Sequence, residues 1–201
     1  MAIALKKNTK LFVLQKDGIE GDDFVGGVCQ IYGDIDNVRL KLVSSDKDYM
    51  QLLRYSNVEI VNPLKNGKPR SLKDFNNDPD LYVFEKCIRG DSKDNVRSSY
   101  PRLLRTKLVE GFYDSYKREN IMEHEFEETI YDEVNDDYVN VKFKVRDLFE
   151  ENQMLLDLEK QPENVKKEIF EEIEREMLSK KKLSIPYFVR FLGRNELKKI
   201  I

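Results

Sequence analysis

Apolar and polar positions alternate along the first third of the chain in a way that predicts strands and helices in turn. Leu11-Phe12-Val13-Leu14 is a short apolar run and reads as a strand. From Asp22 to Tyr32, Phe24, Val25, Val28 and Ile31 fall at the spacing of a buried helix face, and Gly33 stops it. Val38 to Val43 alternates as a strand, Asp48 to Leu53 starts a helix, and Val58 to Val61 is a further strand ended by Asn62-Pro63. A turn follows at Asn66-Gly67 and Lys68-Pro69. The order strand, helix, strand, helix, strand predicts a parallel sheet covered by helices.

Beyond about residue 80 the pattern becomes helical. Helices are expected over Asp80–Ile88, over most of Tyr100–Lys117, and over Val165–Leu178, the last with Asn164 as a cap. Val165, Ile169, Phe170, Ile173 and Met177 form one apolar face of that helix, which is expected to pack. Residues Asn135 to Phe149 alternate at Tyr138, Val139, Val141, Phe143 and Val145, as a strand or an ordered arm. The C-terminal run Tyr187-Phe188-Val189-Arg190-Phe191-Leu192 reads as a closing core element, with docking to a sliding clamp or single-strand binding protein as the alternative.

Charge changes this picture once it is divided. Charged residues make up 36% of the chain, yet the net charge is only −3. Lys86 to Arg118 is basic, whereas Glu119 to Asn140 holds nine carboxylates and no Lys or Arg. The acidic block reads as a solvated loop or linker. No apolar run is long enough to span a bilayer and no signal peptide is visible, so no membrane association is expected and the expected location is cytoplasmic. Two cysteines, Cys29 and Cys87, are too few for a disulfide framework and read as buried core residues. The single histidine, His124, gives no support to Ser–His or His–zinc chemistry, and no Walker-type phosphate loop is present.

Three carboxylate clusters carry the candidate chemistry. They are Glu20-Gly21-Asp22-Asp23, Ser44-Ser45-Asp46-Lys47-Asp48, and Gly90-Asp91-Ser92-Lys93-Asp94-Asn95-Val96. The first two follow expected strands, and ligands of open parallel sheets bind beyond the carboxyl ends of strands. Two carboxylates ~4 Å apart repel by roughly 4 kcal/mol at an effective dielectric of about 20, so such clusters call for a cation. Magnesium, a hard ion that prefers oxygen ligands, suits them. Each cluster taken singly also has a plain structural role, in helix starts or solvent-facing turns.

Taken in order, the three clusters resemble the acidic motifs of the 5′ nucleases, the family of flap endonucleases and 5′-3′ exonucleases. Arg54-Tyr55-Ser56-Asn57-Val58 and Glu151-Asn152-Gln153-Met154-Leu155-Leu156-Asp157-Leu158 look most like the RNase H of T-even phages. The resemblance implies an α/β fold: a truncated, PIN-like parallel-sheet nuclease core over residues 1–80, then a mainly helical helix–three-turn–helix DNA-binding domain over 81–201. It implies two Mg²⁺ ions, with Mn²⁺ as a substitute, held by Glu20, Asp22, Asp46, Asp48, Asp91 and Asp94, with Asp23 in the same acidic motif. It further implies that Lys93, Arg97, Arg102, Arg105 and Lys107 contact the phosphate backbone of DNA or RNA–DNA duplexes with 5′ ends or flaps. Arg97-Ser98-Ser99-Tyr100-Pro101 stands where the family has Pro and Gly residues in a cation-binding turn. Only nineteen residues precede Glu20, so the first strands of the family core and its helical arch are expected from another chain, or from the rest of a longer gene product of which this chain is a fragment. The implied activity is Mg²⁺-dependent 5′-3′ exonuclease or flap cleavage of the primer-removing RNase H type. The alternative is a catalytically inactive protein that binds forks or flaps.

Overall fold

The computed structural model describes residues 6, 10–132, 134–179, 184, 186, 189 and 190. Two compact units emerge, one made of residues 1–28 with 163–201, the other of residues 29–162.

The smaller unit holds most of helix α1 (Gly21–Tyr32), which runs on into the larger unit, together with the last helix of the described chain, α6 (Glu163–Leu178). Phe24 of α1 and Ile169 and Ile173 of α6 are buried. Gly27 permits a close approach to α6, because a Cβ there would stand 2.5 Å from the Ile169 side chain. The strand expected at Leu11–Leu14 does not form. The Val13 N–H is satisfied instead by a side chain, donating to Glu176 Oε1 at 3.0 Å, and Glu176 also pairs with Lys6 at 2.9 Å. Helix α6 starts at Glu163, so Asn164 lies within its first turn rather than capping it. The C-terminal run from Tyr187 falls outside the described residues apart from Val189 and Arg190.

In the larger unit, β1 (Leu40–Val43) and β2 (Val58–Asn62) pair in parallel, with Leu40 opposite Val58 and Val43 opposite Val61. The short strand β3 (Lys68–Pro69) adds to β2 antiparallel. The connection from β1 to β2 is a 3₁₀ helix, Asp48–Arg54. Its buried Gln51 is tied down at both ends of its amide: Nε2 donates to the carbonyls of Asp48 (3.0 Å) and Leu156 (3.1 Å), and Oε1 accepts from Leu158 N–H (2.9 Å).

Helix α2 (Pro79–Arg89) is the centre of this unit. Asp78 caps it, accepting from the N–H groups of Asp80 and Leu81 at 2.9 and 3.1 Å, and Pro79 opens it with a φ already suited to a first turn. Its Leu81, Phe84 and Ile88 pack with Leu103, Leu108, Ile121, Met122 and Val145, while Val83 and Cys87 pack with Leu156. Burial pushes both cysteine thiols up to about 12, in keeping with inert core residues.

Residues 100–117 do not form one helix. Pro101 and a left-handed Arg102 (φ +64°) keep residues 100–104 irregular; α3 spans Arg105–Tyr113, and Asp114 breaks it by capping α4 (Ser115–Met122). The acidic block is ordered structure. Strand β4 (Glu125–Asp132) pairs antiparallel with β5 (Asp137–Lys144), with Glu125 opposite Lys144 and Glu127 opposite Lys142. Like charges that repel along the sequence thus sit across from cations. Helix α5 (Val145–Leu156) follows directly. No helix among the described residues is long and apolar enough to cross a membrane.

Candidate metal centre

Two of the three acidic motifs meet in the larger unit. The first is the loop leaving β1. Ser44 N–H still pairs with Val61 across the sheet (3.1 Å), after which the chain turns on its own side chains: Ser44 Oγ accepts from Asp46 N–H and Asp46 Oδ1 from Asp48 N–H, both at 3.0 Å. Arg70 donates to the Ser45 carbonyl from outside. Asp46 and Asp48 are thereby held just beyond the carboxyl end of a parallel strand.

The second is the loop leaving α2. Gly90 takes φ +69° and ψ −174°, a conformation reserved in practice for glycine. A Cβ there would stand 2.5 Å from the Arg97 carbonyl carbon and oxygen. The loop then closes on itself, with Asp91 N–H to Val96 O at 2.9 Å and Val96 N–H to Asp91 O at 2.8 Å. Buried Asn152 of α5 clamps its base, donating to the carbonyls of Cys87 and Arg97, both at 2.8 Å. Asp91 Oδ1 accepts from Lys93 N–H at 2.9 Å.

As a result Asp48, Asp91 and Asp94 each present a carboxylate oxygen within 4.8 Å of the others. With Asp46 they line an open cavity of about 730 Å³, whose walls also include Phe75, Tyr82, Glu85, Lys86, Arg89 and Lys93. Lys86 lies among the acids, with Nζ 2.6 Å from Asp48 Oδ1 and 3.5 Å from Asp91 Oδ2. The Lys93 backbone N–H, joined by the Lys86 charge and outweighing partial burial, holds the Asp91 carboxyl below its usual range. Burial, reinforced by the charges of Asp48, Asp46 and Asp91, pushes the Tyr82 hydroxyl well above its usual value; that hydroxyl donates to the Lys47 carbonyl at 2.9 Å. An all-oxygen set of three converging carboxylates is the donor chemistry of a hard divalent cation, and an ammonium, that of Lys86, already lies against two of them.

Glu20, Asp22 and Asp23 belong to the smaller unit, at the start of α1. Asp23 Oδ2 accepts from the Glu20 N–H at 3.0 Å, one half of a capping box, and Asp22 Oδ1 accepts from Asp23 N–H at 3.0 Å. Burial raises the Asp23 carboxyl pKa; the Glu20 bond works against this and the neighbouring Asp22 charge adds to it. Asp23 thus has a structural task at the helix start.

The five basic candidates divide into two groups. Lys93, Arg102 and Lys107 are exposed, and no ion partner is seen for them among the described residues. Arg97 and Arg105 are engaged within the protein. Arg97 pairs with Glu128 at 2.9 Å and lies 4.3 Å from the centre of the Phe143 ring; Arg105 pairs with Glu85 at 3.2 Å, donates to the Asp74 carbonyl and lies 5.6 Å from the Phe75 ring centre.

Sequence reasoning missed Lys86, Tyr82, Gln51 and Asn152 as parts of the centre. Lys86 was visible only as the head of the basic block. The two buried amides gave no signal, because their task is to satisfy backbone groups of loops that are distant in sequence.

No protein-family model matches the chain, and no curated protein does. Among solved structures, the fold is similar to that of the T5 D15 protein, crystallised with metal ions: TM-score 0.53 at 16% identity, covering 81% of this chain and 61% of that one. At this identity the likeness is one of fold, a mixed α/β arrangement of small sheets and several helices. The chain spans about three-fifths of the length of that protein.

Proposed function

We propose that this chain is a metal-dependent phosphodiesterase of the 5′ nuclease type, acting on nucleic acids with 5′ ends or flaps. The observation that carries the reading is the convergence of Asp48 with Asp91, 43 positions further on, and Asp94 into one oxygen-lined centre. The fold is similar to that of the T5 D15 protein, which was co-crystallised with metal ions, and that likeness is in keeping with a metal centre here.

In this reading Asp48, Asp91 and Asp94, with Asp46 beside them in the cavity wall, hold divalent ions, Mg²⁺ or Mn²⁺. When bound, such ions supply charge neutralisation and Lewis-acid activation for in-line phosphodiester hydrolysis. The chain's own residues do the positioning. The self-closed loop 91–96 fixes two carboxylates, Gln51 fixes the turn that carries Asp48, and Lys86 balances their charge. Lys93, Arg102 and Lys107 hold the phosphate backbone beside the centre, giving register without sequence preference and a steep salt dependence. The division into a nuclease core up to residue 80 and a helix–three-turn–helix DNA-binding part belongs to this reading. So do a cytoplasmic role in replication-linked removal of primers, a separate N-terminal nuclease segment that completes the site, and contact with a clamp or single-strand binding protein.

The test is cleavage of a 5′-labelled flap duplex in Mg²⁺, with Asp46→Asn as control, alongside duplex binding at several salt concentrations. Cleavage lost in the variant supports the reading in full. Salt-sensitive duplex binding without cleavage favours the non-catalytic fork-binding alternative, or a chain that works only with its N-terminal segment; adding that segment separates the two. Neither cleavage nor binding overturns the reading.

A further inference from the structure

The face of the β4–β5 hairpin that carries Phe126, Ile130, Val139, Val141 and Phe143 is half-buried and mostly apolar; Asp132 and Asp137 end it at the turn, and one carboxylate lies within it. Glu128, opposite Val141 in the ladder, places a carboxylate in the middle of it. A charge in an apolar strip is costly without a partner, and the partner here is Arg97, at 2.9 Å, whose guanidinium also rests on the Phe143 ring. Arg97 comes directly after Val96, the residue that closes the Asp91 loop, and its carbonyl is clamped by Asn152. Its backbone is therefore fixed beside the metal centre while its side chain remains 41% exposed, facing a Glu128 that is 38% exposed. Both groups are open to solvent.

We infer that Glu128 is an internal stand-in for a nucleic-acid phosphate. It holds Arg97 on the hairpin, and a bound duplex must displace it for Arg97 to reach the backbone. Glu128 thus sets how strongly a polyanion must bind before this cation joins the interface, which makes it a selectivity-determining residue. The inference rests on the nucleic-acid reading above.

The test measures binding of a 5′-flap duplex by the wild type, Glu128→Gln, Arg97→Ala and the double variant over a range of salt, with a melting temperature for each. Glu128→Gln keeps the shape of the side chain and removes its charge. An exposed ion pair of this kind is worth a factor of roughly two to five in binding once released, so Glu128→Gln should bind that much more tightly. Its log–log salt slope should steepen by about 0.9, the contribution of one extra phosphate contact. Both gains should vanish in the double variant. If Glu128→Gln lowers the melting temperature but leaves affinity and salt slope at wild-type values, the pair is only a brace for the hairpin and the inference is overturned. If binding depends on Lys93, Arg102 and Lys107 yet ignores Glu128, the inference fails while the nucleic-acid reading stands. If none of the proteins binds the duplex, both fail.

Discussion

Gly90→Ala should damage the metal centre without touching a carboxylate. Gly90 sits at φ +69°, ψ −174°, where a residue with a side chain is strained by about 1–3 kcal/mol. The added methyl would also lie 2.5 Å from the Arg97 carbonyl and against the Val96 oxygen, both backbone atoms that cannot rotate away. Relief requires the 91–96 loop to open. That disturbs the paired bonds between Asp91 and Val96, at 2.9 and 2.8 Å, each worth a net of about 0.5–1.5 kcal/mol. The total is about 2–6 kcal/mol, or a fall in melting temperature of about 4–24 °C for a chain of this size. Asp91 and Asp94 should lose their register with Asp48, so Mg²⁺ should no longer raise the melting temperature. Thermal denaturation with and without Mg²⁺ tests both parts. A variant that melts within a degree or two of the wild type and keeps its Mg²⁺ response would refute the account of how this loop is held.

Three further outcomes follow from single contacts. Lys86→Met removes the cation between Asp48 and Asp91; the metal-free protein should lose about 1.5–3 kcal/mol, and the rise in melting temperature on adding Mg²⁺ should become larger than in the wild type. Arg102→Gly relieves a left-handed residue (φ +64°) and should stabilise by about 1 kcal/mol, while lowering the salt slope of duplex binding by about 0.9. Asp157 is buried, and burial raises its carboxyl pKa by more than the Glu159 N–H bond and the Arg54 charge, 3.7 Å away and closer to Glu159 at 2.6 Å, lower it. A carboxyl whose folded pKa is raised favours the native state at low pH and loses that contribution as pH rises from the unfolded value near ~3.9 through the folded one. Asp157→Asn, whose side-chain oxygen still accepts the Glu159 N–H, should therefore gain stability relative to the wild type over that interval, read from melting temperatures between pH 4 and 7.

Much of the fold was legible because its signals are local. The α1 face with Gly33 at its end, the β1 and β2 runs, and α2, expected over Asp80–Ile88, all follow from periodicity and end signals. The parallel pairing of β1 with β2 followed from the alternation of elements. The acidic block was not legible as a hairpin, because the cations that make β4 tolerable, Lys142 and Lys144, lie on the strand it pairs with and come into register only in the fold. Leu11–Leu14 has the composition of a strand, but a buried glutamate rather than a neighbouring strand takes the Val13 N–H. In the site, the second and third acidic motifs were readable as clusters, since each builds its own turn from Ser44, Asp46 or Asp91 side chains. Their meeting was not readable, because it depends on α2 packing against the turn that Gln51 anchors. The basic candidates were readable as charges alone; that Arg97 and Arg105 already have partners depends on Glu128 and Glu85 arriving from elsewhere in the chain.

The central claim is that Asp48, Asp91 and Asp94 form a divalent metal centre. The most direct measurement is a calorimetric titration of the metal-free protein with Mg²⁺ and Mn²⁺, repeated with Asp91→Asn and Asp94→Asn. Saturable binding by the wild type, weakened at least tenfold in each variant while their folded spectra stay the same, is the predicted result. Binding that is absent in the wild type, or that persists unchanged in both variants, would contradict it.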